Sequence, residues 1–546
     1  MAQRTDRSTG PAYDVVVVGA GSAGAPMAAR LSADPSRRVA LVEAGPDYRS
    51  SETPEAIRGP NFIQIFSLGA YHWPELRARL TDYQEPQPYP SGRGVGGGSA
   101  LNGQGAVRGA PADYDGWAAA GCAGWGWLDV LPDFVHIEDD LDFGDRSYHG
   151  TGGPVPVSRS PAPAWGPVSA ALQRAAADAG HPEHPDLNAP DSSGLSPMTW
   201  HRRGGARVTT NDGYLEAARN RDNLRVLPDA LALRVAFAGN RVVGVVVRTS
   251  TGDSLVEAGD VVLCAGALRS PVLLMRSGVG PADELRRLGI EVVADLPGVG
   301  ANLQDHPLAF LGFPLTSAAQ DRPPGALSGH CVLRTSSGVD GAAPLDLEML
   351  ALDRHLMDPS LGGLMVALMQ PRSRGRLRLA SADPIREPEP AFGMLADDRD
   401  LLALRTAVRE AAELVRHPAF RRATDAGASL EPGRPVEGCS DDELDAWLRG
   451  GCMGHFHAAG TCRMGDPARP ETVVDPAGRV IGVEGLRVAD ASIIPELPRA
   501  ATHLTTVMIA EHVARSFLGD LGGDEASDVE LRRAPQSART RTGTRS

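Results

Sequence analysis

Tyr13 to Val18 (YDVVVV) is a β-branched apolar run that stops at glycines, Ala25 to Leu31 then has the spacing of a helix, and Arg38 to Val42 is a second short apolar run. That order predicts the start of a βαβ unit. A glycine- and proline-rich stretch reaches about residue 160, after which Trp165 to Ala179 predicts an amphipathic helix. Between Leu224 and Val262 the runs LRVL, LRVAF, RVVGVVVRT and DVVLCAG alternate with turns such as AGN and STGD, which predicts a β-meander returning to the core sheet. Residues 305–400 read as strands with irregular loops, 397–417 as a helix, and about 503–518 as a closing helix. From 519 to 546 the chain turns polar and ends in RRAPQSARTRTGTRS, too poor in apolar surface to order itself, so a disordered tail is expected there. No internal repeat recurs at a fixed period.

With 546 residues, 42% of them hydrophobic, the chain can bury a large core and form one large or two intimately joined domains. A formal charge of −14 and the lack of a basic run in the body exclude a phosphate-backbone partner, so no nucleic acid is expected. Six cysteines are few for this length, and MAQRTDRSTGPAYD holds no apolar leader, which predicts a cytoplasmic protein with reduced thiols. The most apolar early segment, VVVVGAGSAGAPMAARL, is interrupted by glycines and short for a bilayer span, so no integral membrane segment is expected.

Gly19-Ala-Gly21-Ser-Ala-Gly24 follows the first strand directly and opens the first helix, and Glu43 ends the second strand. Gly19 permits the tight turn, Gly21 lets backbone approach a pyrophosphate at the helix N-terminus, and Gly24 permits close helix–strand packing, while Glu43 can accept from ribose hydroxyls. A dinucleotide site follows. The motif alone does not choose between NAD and FAD.

Gly92-Arg93-Gly94-Val95-Gly96-Gly97-Gly98-Ser99-Ala100-Leu101-Asn102, continuing to Gly109 and Asp115, and Gly266-Ala267-Leu268-Arg269-Ser270-Pro271 with Ser277 to Gly280, resemble the two signature motifs of the glucose–methanol–choline (GMC) oxidoreductases. Gly485 to Ser492 resembles that family's closing flavin motif, and with Asp305-His306-Pro307 the likeness spans roughly residues 12–518. Glycine fills half of the stretch from Gly92 to Gly105, so its backbone can lie flat against a phosphate or ring and aim N–H groups at it.

The resemblance implies an α/β fold: a Rossmann-like FAD-binding domain assembled from 12–160, 216–304 and 466–518, with a discontinuous, α+β substrate domain on an antiparallel sheet from 161–215 and 305–465. It implies FAD contacts from Gly19, Gly21, Ser22, Ala23, Gly24, Glu43, Arg93, Gly96, Gly97, Ser99, Asn102, Gly103, Ala232, Asp490, Ala491, His503 and Leu504. Some relatives carry a flavin-linked histidine before the asparagine; here that residue is Leu101, so dissociable FAD is expected.

The stretch GCMGHFHAAGTCRMG (451–465) sets Cys452, His455, His457 and Cys462 at a spacing with the ligand types of zinc. Structural zinc uses well-separated pairs around a small module, whereas this segment lies inside a large domain, so packed thiols and no metal are expected. His455 reads as a histidine satisfied by core hydrogen bonds. His457, in His457-Ala-Ala-Gly460-Thr461-Cys462, matches the family's active-site histidine, and His503 matches its partner near the C-terminus. Ala501 departs from the asparagine frequent in relatives. A neutral imidazole can take a hydroxyl proton near neutrality, so His457 is assigned as base and His503 as the group that holds the alkoxide, with the roles exchangeable. Thr505 and Thr506 precede VMIAEHVARSF, a predicted helix whose N-terminus would face the site.

The resulting expectation is FAD-dependent oxidation of a primary or secondary alcohol, its hydride passing to flavin N5 and its electrons to O2, a quinone or another carrier. A hydroxynitrile-lyase-type reaction without net redox change is the competing class, and a nicotinamide dehydrogenase the third. Aromatics are only 5% of the chain and no cage for a trimethylammonium group can be placed. Glu138 to Phe143 with His149 to Pro154 resembles members associated with the peptide-derived cofactor mycofactocin.

Overall fold

The structure is a computed structural model, and residues 12–323, 326–431 and 434–520 are described. It is a mixed α/β fold built on two large sheets. The first places Leu224–Leu227, Val39–Val42, Tyr13–Val18 and the end of Gly252–Leu263 side by side, all parallel, with Leu486–Val488 beyond. Its core strands are buried on both faces, which is why Val15 to Val18 read as a continuous apolar run without alternation. The meander folds as expected for three of its four runs: Leu231–Ala238, Arg241–Thr249 and the first half of Gly252–Leu263 are antiparallel, and the last strand then runs into the parallel sheet, whereas Leu224–Leu227 leaves the meander and pairs in parallel with Val39–Val42.

The second sheet is antiparallel along its length and joins, in spatial order, Arg434–Pro435, Ser429–Glu431, Pro307–Pro314, Leu361–Leu368, Leu347–Leu352, Cys331–Thr335 and Gly194–Pro197. Met453–Gly454 pairs with the start of Pro307–Pro314, which brings the histidine segment to the sheet edge. The helix Asp398–Val415 packs on this sheet.

The first helix, Gly24–Leu31, lies against the closing helix Thr502–Asp520, which starts within one residue of the expected 503, so Thr505 and Thr506 lie inside its first turns rather than ahead of it. Gly519 and Asp520 still belong to that helix, and the rest of the expected tail, 521–546, lies outside the described residues. Several helices were not foreseen, the longest of them Pro111–Ala119, Trp127–Ile137 and Asp441–Gly451. The last begins at a reciprocal cap, Glu443 N donating to Ser440 Oγ at 3.3 Å and Ser440 N to Glu443 Oε2 at 2.8 Å, a pattern that Ser-x-x-Glu spells in the sequence. All six cysteines are free thiols. Among the described residues no helix is long and apolar enough to cross a membrane.

Candidate active site

The two sheets share one cavity of about 620 Å³, within the roughly 300–1,000 Å³ of ordinary ligand clefts. Its nucleotide end is made where two glycine loops touch. Gly97 stands so close to Gly21 that a β-carbon on it would sit 2.6 Å from the Gly21 Cα, and its combination of φ +46° with ψ −126° is open only to glycine. Gly96 N donates to Ala20 O at 2.9 Å, tying the loops together. Glu43 clamps both: Oε2 accepts from Ala20 N at 2.8 Å, and Oε1 from Gly45 N at 2.9 Å and Gly94 N at 2.8 Å.

Most of the expected cofactor residues line this cavity. Gly19, Gly21, Ser22 and Ala23 form one rim, Arg93, Gly97, Asn102 and Gly103 the facing one, and Glu43, Ala232, Asp490, Ala491 and His503 complete it. The Asp490 carboxylate is spent on the fold, accepting from Ser270 Oγ at 2.6 Å and from Gly266 N and Ser492 N at 2.8 Å. Asn102 Oδ1 takes Arg207 Nη1 at 2.7 Å and Gln104 N at 3.0 Å, so its amide NH2 is the group left over.

Four expected residues stand behind the wall instead. Gly24 is a packing glycine, since a β-carbon there would lie 1.6 Å from Gly19 O. Gly96 is buried in its own turn, and Ser99 spends its hydroxyl on Gly96 O at 2.6 Å and Thr210 N at 3.0 Å. Leu504 is wholly buried in the closing helix, pointing away from the cavity that its neighbour His503 lines.

A flavin dinucleotide fits what is present. Bare glycine backbone permits close approach of a pyrophosphate, and Arg93, Arg269 and Arg276 line the same cavity. Arg269 and Arg93 lie over Trp73 at 3.9 and 5.2 Å from its ring centre. Trp200 lines the cavity, and its buried indole N–H has no hydrogen-bond partner among the described residues.

The other end carries imidazoles. His455, His457 and His503 all line the cavity, and His306 is buried behind them. The Nδ1 atoms of His306 and His457 are 2.9 Å apart, and a nearly perpendicular ring contact of 5.1 Å holds the pair. Asp305 fixes the loop: Oδ1 accepts from His457 N at 2.9 Å and His306 N at 2.8 Å, and Oδ2 from Tyr89 OH at 2.8 Å and Phe456 N at 3.2 Å. Phe456 adopts a φ of +60°, a strained choice for an aromatic residue, and its ring rests edge-on against Tyr89.

Burial holds these rings neutral. It pushes His457 well below the ordinary imidazole value, helped by His455 and His306, and brings His455 to about 4. His503 is lowered to about 4 by burial and then by the Arg207 charge. Its Nδ1 faces Ser22 Oγ at 3.3 Å and its ring lies 4.6 Å from that of His201.

His455 is not satisfied by core hydrogen bonds as expected, because its Nε2 is buried with no partner among the described residues and its ring faces the cavity. Cys452 and Cys462 are buried thiols, the first pushed up to about 12 by burial. The side chains that do converge, with ring nitrogens within 4.8 Å of one another, are His306, His455 and His457. His306 entered the sequence reading only through Asp305-His306-Pro307; its contact with His457 spans 151 positions and has no local signal.

The stretch 138–154 lies away from the cavity and builds a buried charge cluster. His149 contacts Glu138 and Asp186 at 2.8 Å each, Arg108 pairs with Glu138 at 2.5 Å, and Arg159 with Asp186 at 2.6 Å.

Family models described as GMC oxidoreductase match residues 13–308 and 371–510. The chain is 40% identical over 528 residues to the 5-(hydroxymethyl)furfural oxidase of Methylovorus sp. (strain MP688), covering 93% of this chain and 98% of that protein. It is 36% identical over 556 residues to an oxygen-dependent choline dehydrogenase of Pseudomonas aeruginosa (strain LESB58), covering 93% and 95%. Among solved structures, pyridoxine 4-oxidase from Mesorbium loti superposes with a TM-score of 0.85 at 32% identity, over 93% of this chain and 99% of that one.

Proposed function

We propose, from the premise that the chain belongs to the GMC oxidoreductase family and is an FAD-dependent oxidoreductase of alcohols, that it oxidises a primary or secondary alcohol to the aldehyde or ketone with His457 as the base. The observation that carries this reading is the sharing of one cavity by a glycine cradle fit for a dinucleotide and two imidazoles kept neutral by burial.

When bound, FAD supplies the acceptor for the hydride that leaves the carbinol carbon. The cradle of Gly19 to Ala23 and Gly97 to Gly103 holds it, and Leu101, in place of a linking histidine, leaves it dissociable. His457 takes the hydroxyl proton at Nε2, because Nδ1 is engaged with His306. For Nε2 to be the acceptor, His457 Nδ1–H must donate to His306 Nδ1, so His306 selects the tautomer that works as a base. His503 has Nδ1 toward Ser22, which leaves Nε2 to hold the substrate oxygen as it becomes an alkoxide. Leu308, Leu350, Leu352 and Met365 make the opposite wall apolar and keep water from the reacting carbon.

Two of the relatives are named oxidases and the third is named oxygen-dependent, which supports dioxygen as the final acceptor. The test is anaerobic mixing of the FAD-loaded protein with a panel of alcohols. Bleaching of the flavin absorbance, reversed by air, is expected. Flavin that stays oxidised while substrate is consumed would replace this reading by the lyase-type reaction.

A further inference from the structure

The antiparallel sheet presents one face to the cavity, and along Leu347–Leu352 the side chains alternate. Leu347, Met349 and Ala351 are buried on the far side, while Glu348, Leu350 and Leu352 line the cavity. A carboxylate thus occupies a position where the pattern of the strand calls for an apolar residue.

Register places it relative to the histidines. Glu348 lies directly opposite Ala367, Ala367 opposite Leu308, and Leu308 opposite Met453, two residues before His455. Glu348 therefore stands two strand spacings, roughly 10 Å, from Leu308 and one more from the histidine segment. That is the scale of a substituted aromatic or short-chain alcohol, with its carbinol at His457 and its other end at Glu348.

The carboxylate is also chemically incomplete. Glu348 is only 8% exposed, and among the described residues nothing donates a hydrogen bond to it. Its nearest cation, Arg334 Nε, is 3.8 Å away, and that guanidinium spends its other nitrogens on Leu187 O at 3.5 Å and Arg499 O at 3.4 Å. Burial pushes the Glu348 carboxyl above its usual range against the pull of Arg334. Its oxygens are open to the cavity, where a donor group on a substrate can take the place of water.

We propose that Glu348 is a specificity-determining residue, accepting a hydrogen bond from a hydroxyl or ammonium group carried by the substrate at the end remote from the carbinol. This rests on the alcohol-oxidising reading of the same cavity. The nearby Arg334 charge partly offsets the carboxylate, so a neutral hydroxyl and a cation both fit, and the two are separable by charge.

The test compares wild type, E348Q and the double variant R334M/E348L, all loaded with FAD, on benzyl alcohols bearing para-methyl, para-hydroxymethyl or para-aminomethyl groups. A parallel measurement reads the dissociation constant of para-methylbenzylamine, which has the donor but no carbinol, from its perturbation of the flavin spectrum. Wild type is expected to favour the donor-bearing alcohols over the para-methyl one by about tenfold or more in kcat/KM, carried by KM. E348Q should lose the preference for the amine and weaken its binding by about tenfold while keeping part of the preference for the hydroxyl. The double variant, which removes both charges and so leaves no unpaired guanidinium, should lose both preferences. Preferences and amine affinity unchanged in both variants, or a wild type that favours the para-methyl alcohol, would overturn the proposal. If no alcohol reduces the flavin, the alcohol-oxidising reading falls instead, and the amine affinity, which needs no turnover, still decides the role of Glu348.

Discussion

Replacing Gly97 by alanine tests whether the two glycine loops form the cofactor cradle by direct contact. Gly97 has φ +46° and ψ −126°, and the added β-carbon would lie 2.6 Å from the Gly21 Cα, where ordinary contacts exceed 3.4 Å. Backbone strain of this kind costs about 1–3 kcal/mol, before counting the separation of the loops. If the free protein relaxes by letting the loops part, that whole cost falls on cofactor binding, a loss of roughly 5- to 150-fold in FAD affinity. If the loops stay pressed together, the same cost appears as lost stability. The assay is titration of FAD into the apoprotein, followed by quenching of flavin fluorescence, with a denaturant melt of both forms. Gly116→Ala is the control: Gly116 lies exposed in the helix Pro111–Ala119 with nothing within 4 Å of its β-carbon position. It should gain about 0.5–1 kcal/mol of stability without touching FAD affinity. Unchanged FAD affinity and unchanged stability in Gly97→Ala would refute the contact as the determinant of the cradle.

His457→Ala should keep bound FAD yet slow its reduction by alcohol by a factor on the order of 10² to 10⁴; near-wild-type reduction would remove His457 as the base. Because burial lowers His457, its base form persists as pH falls until the lowered value is reached, so the acidic limb of kcat/KM should lie below 6.5; a limb at or above that value would contradict the buried neutral base. Burial alone would lower His149, but Asp186 and Glu138 overcome it and raise it to about 9, so the stability it contributes is complete below its ordinary 6.5 and is lost as pH rises through 9. Denaturant melts on either side of that window should differ accordingly. His149→Ala, which leaves its buried carboxylates short of a counter-ion, should cost about 3–5 kcal/mol and remove the dependence.

The parts of the fold legible in the sequence are those whose signal is local. The strand Tyr13–Val18, the glycine turn, the helix Gly24–Leu31 and the strand Val39–Val42 form one contiguous unit, and each carries its own pattern. The meander from Leu231 to Leu263 was legible because short turns separate its apolar runs. The helices Pro111–Ala119 and Trp127–Ile137 were not, because glycine, proline and tryptophan mask the periodicity in a stretch that tertiary burial makes helical. Within the site, Gly24, Gly96 and Ser99 belong to glycine motifs and Leu504 to the start of the closing helix, and the sequence pattern does not say which of these residues face the ligand and which shape the site from behind.

The sequence by itself determined that a dinucleotide loop exists, because turn, close approach and helix start are properties of consecutive residues. It also singled out His457 and His503 through resemblance to known motifs. Tertiary structure alone decided that His306 touches His457, that Asp305 holds both of their backbones, that His455 faces the cavity, and that Glu348 looks across the sheet toward them. Those contacts depend on strand register, and a one-residue slip would turn Glu348 and Leu350 to the opposite face without changing any local pattern.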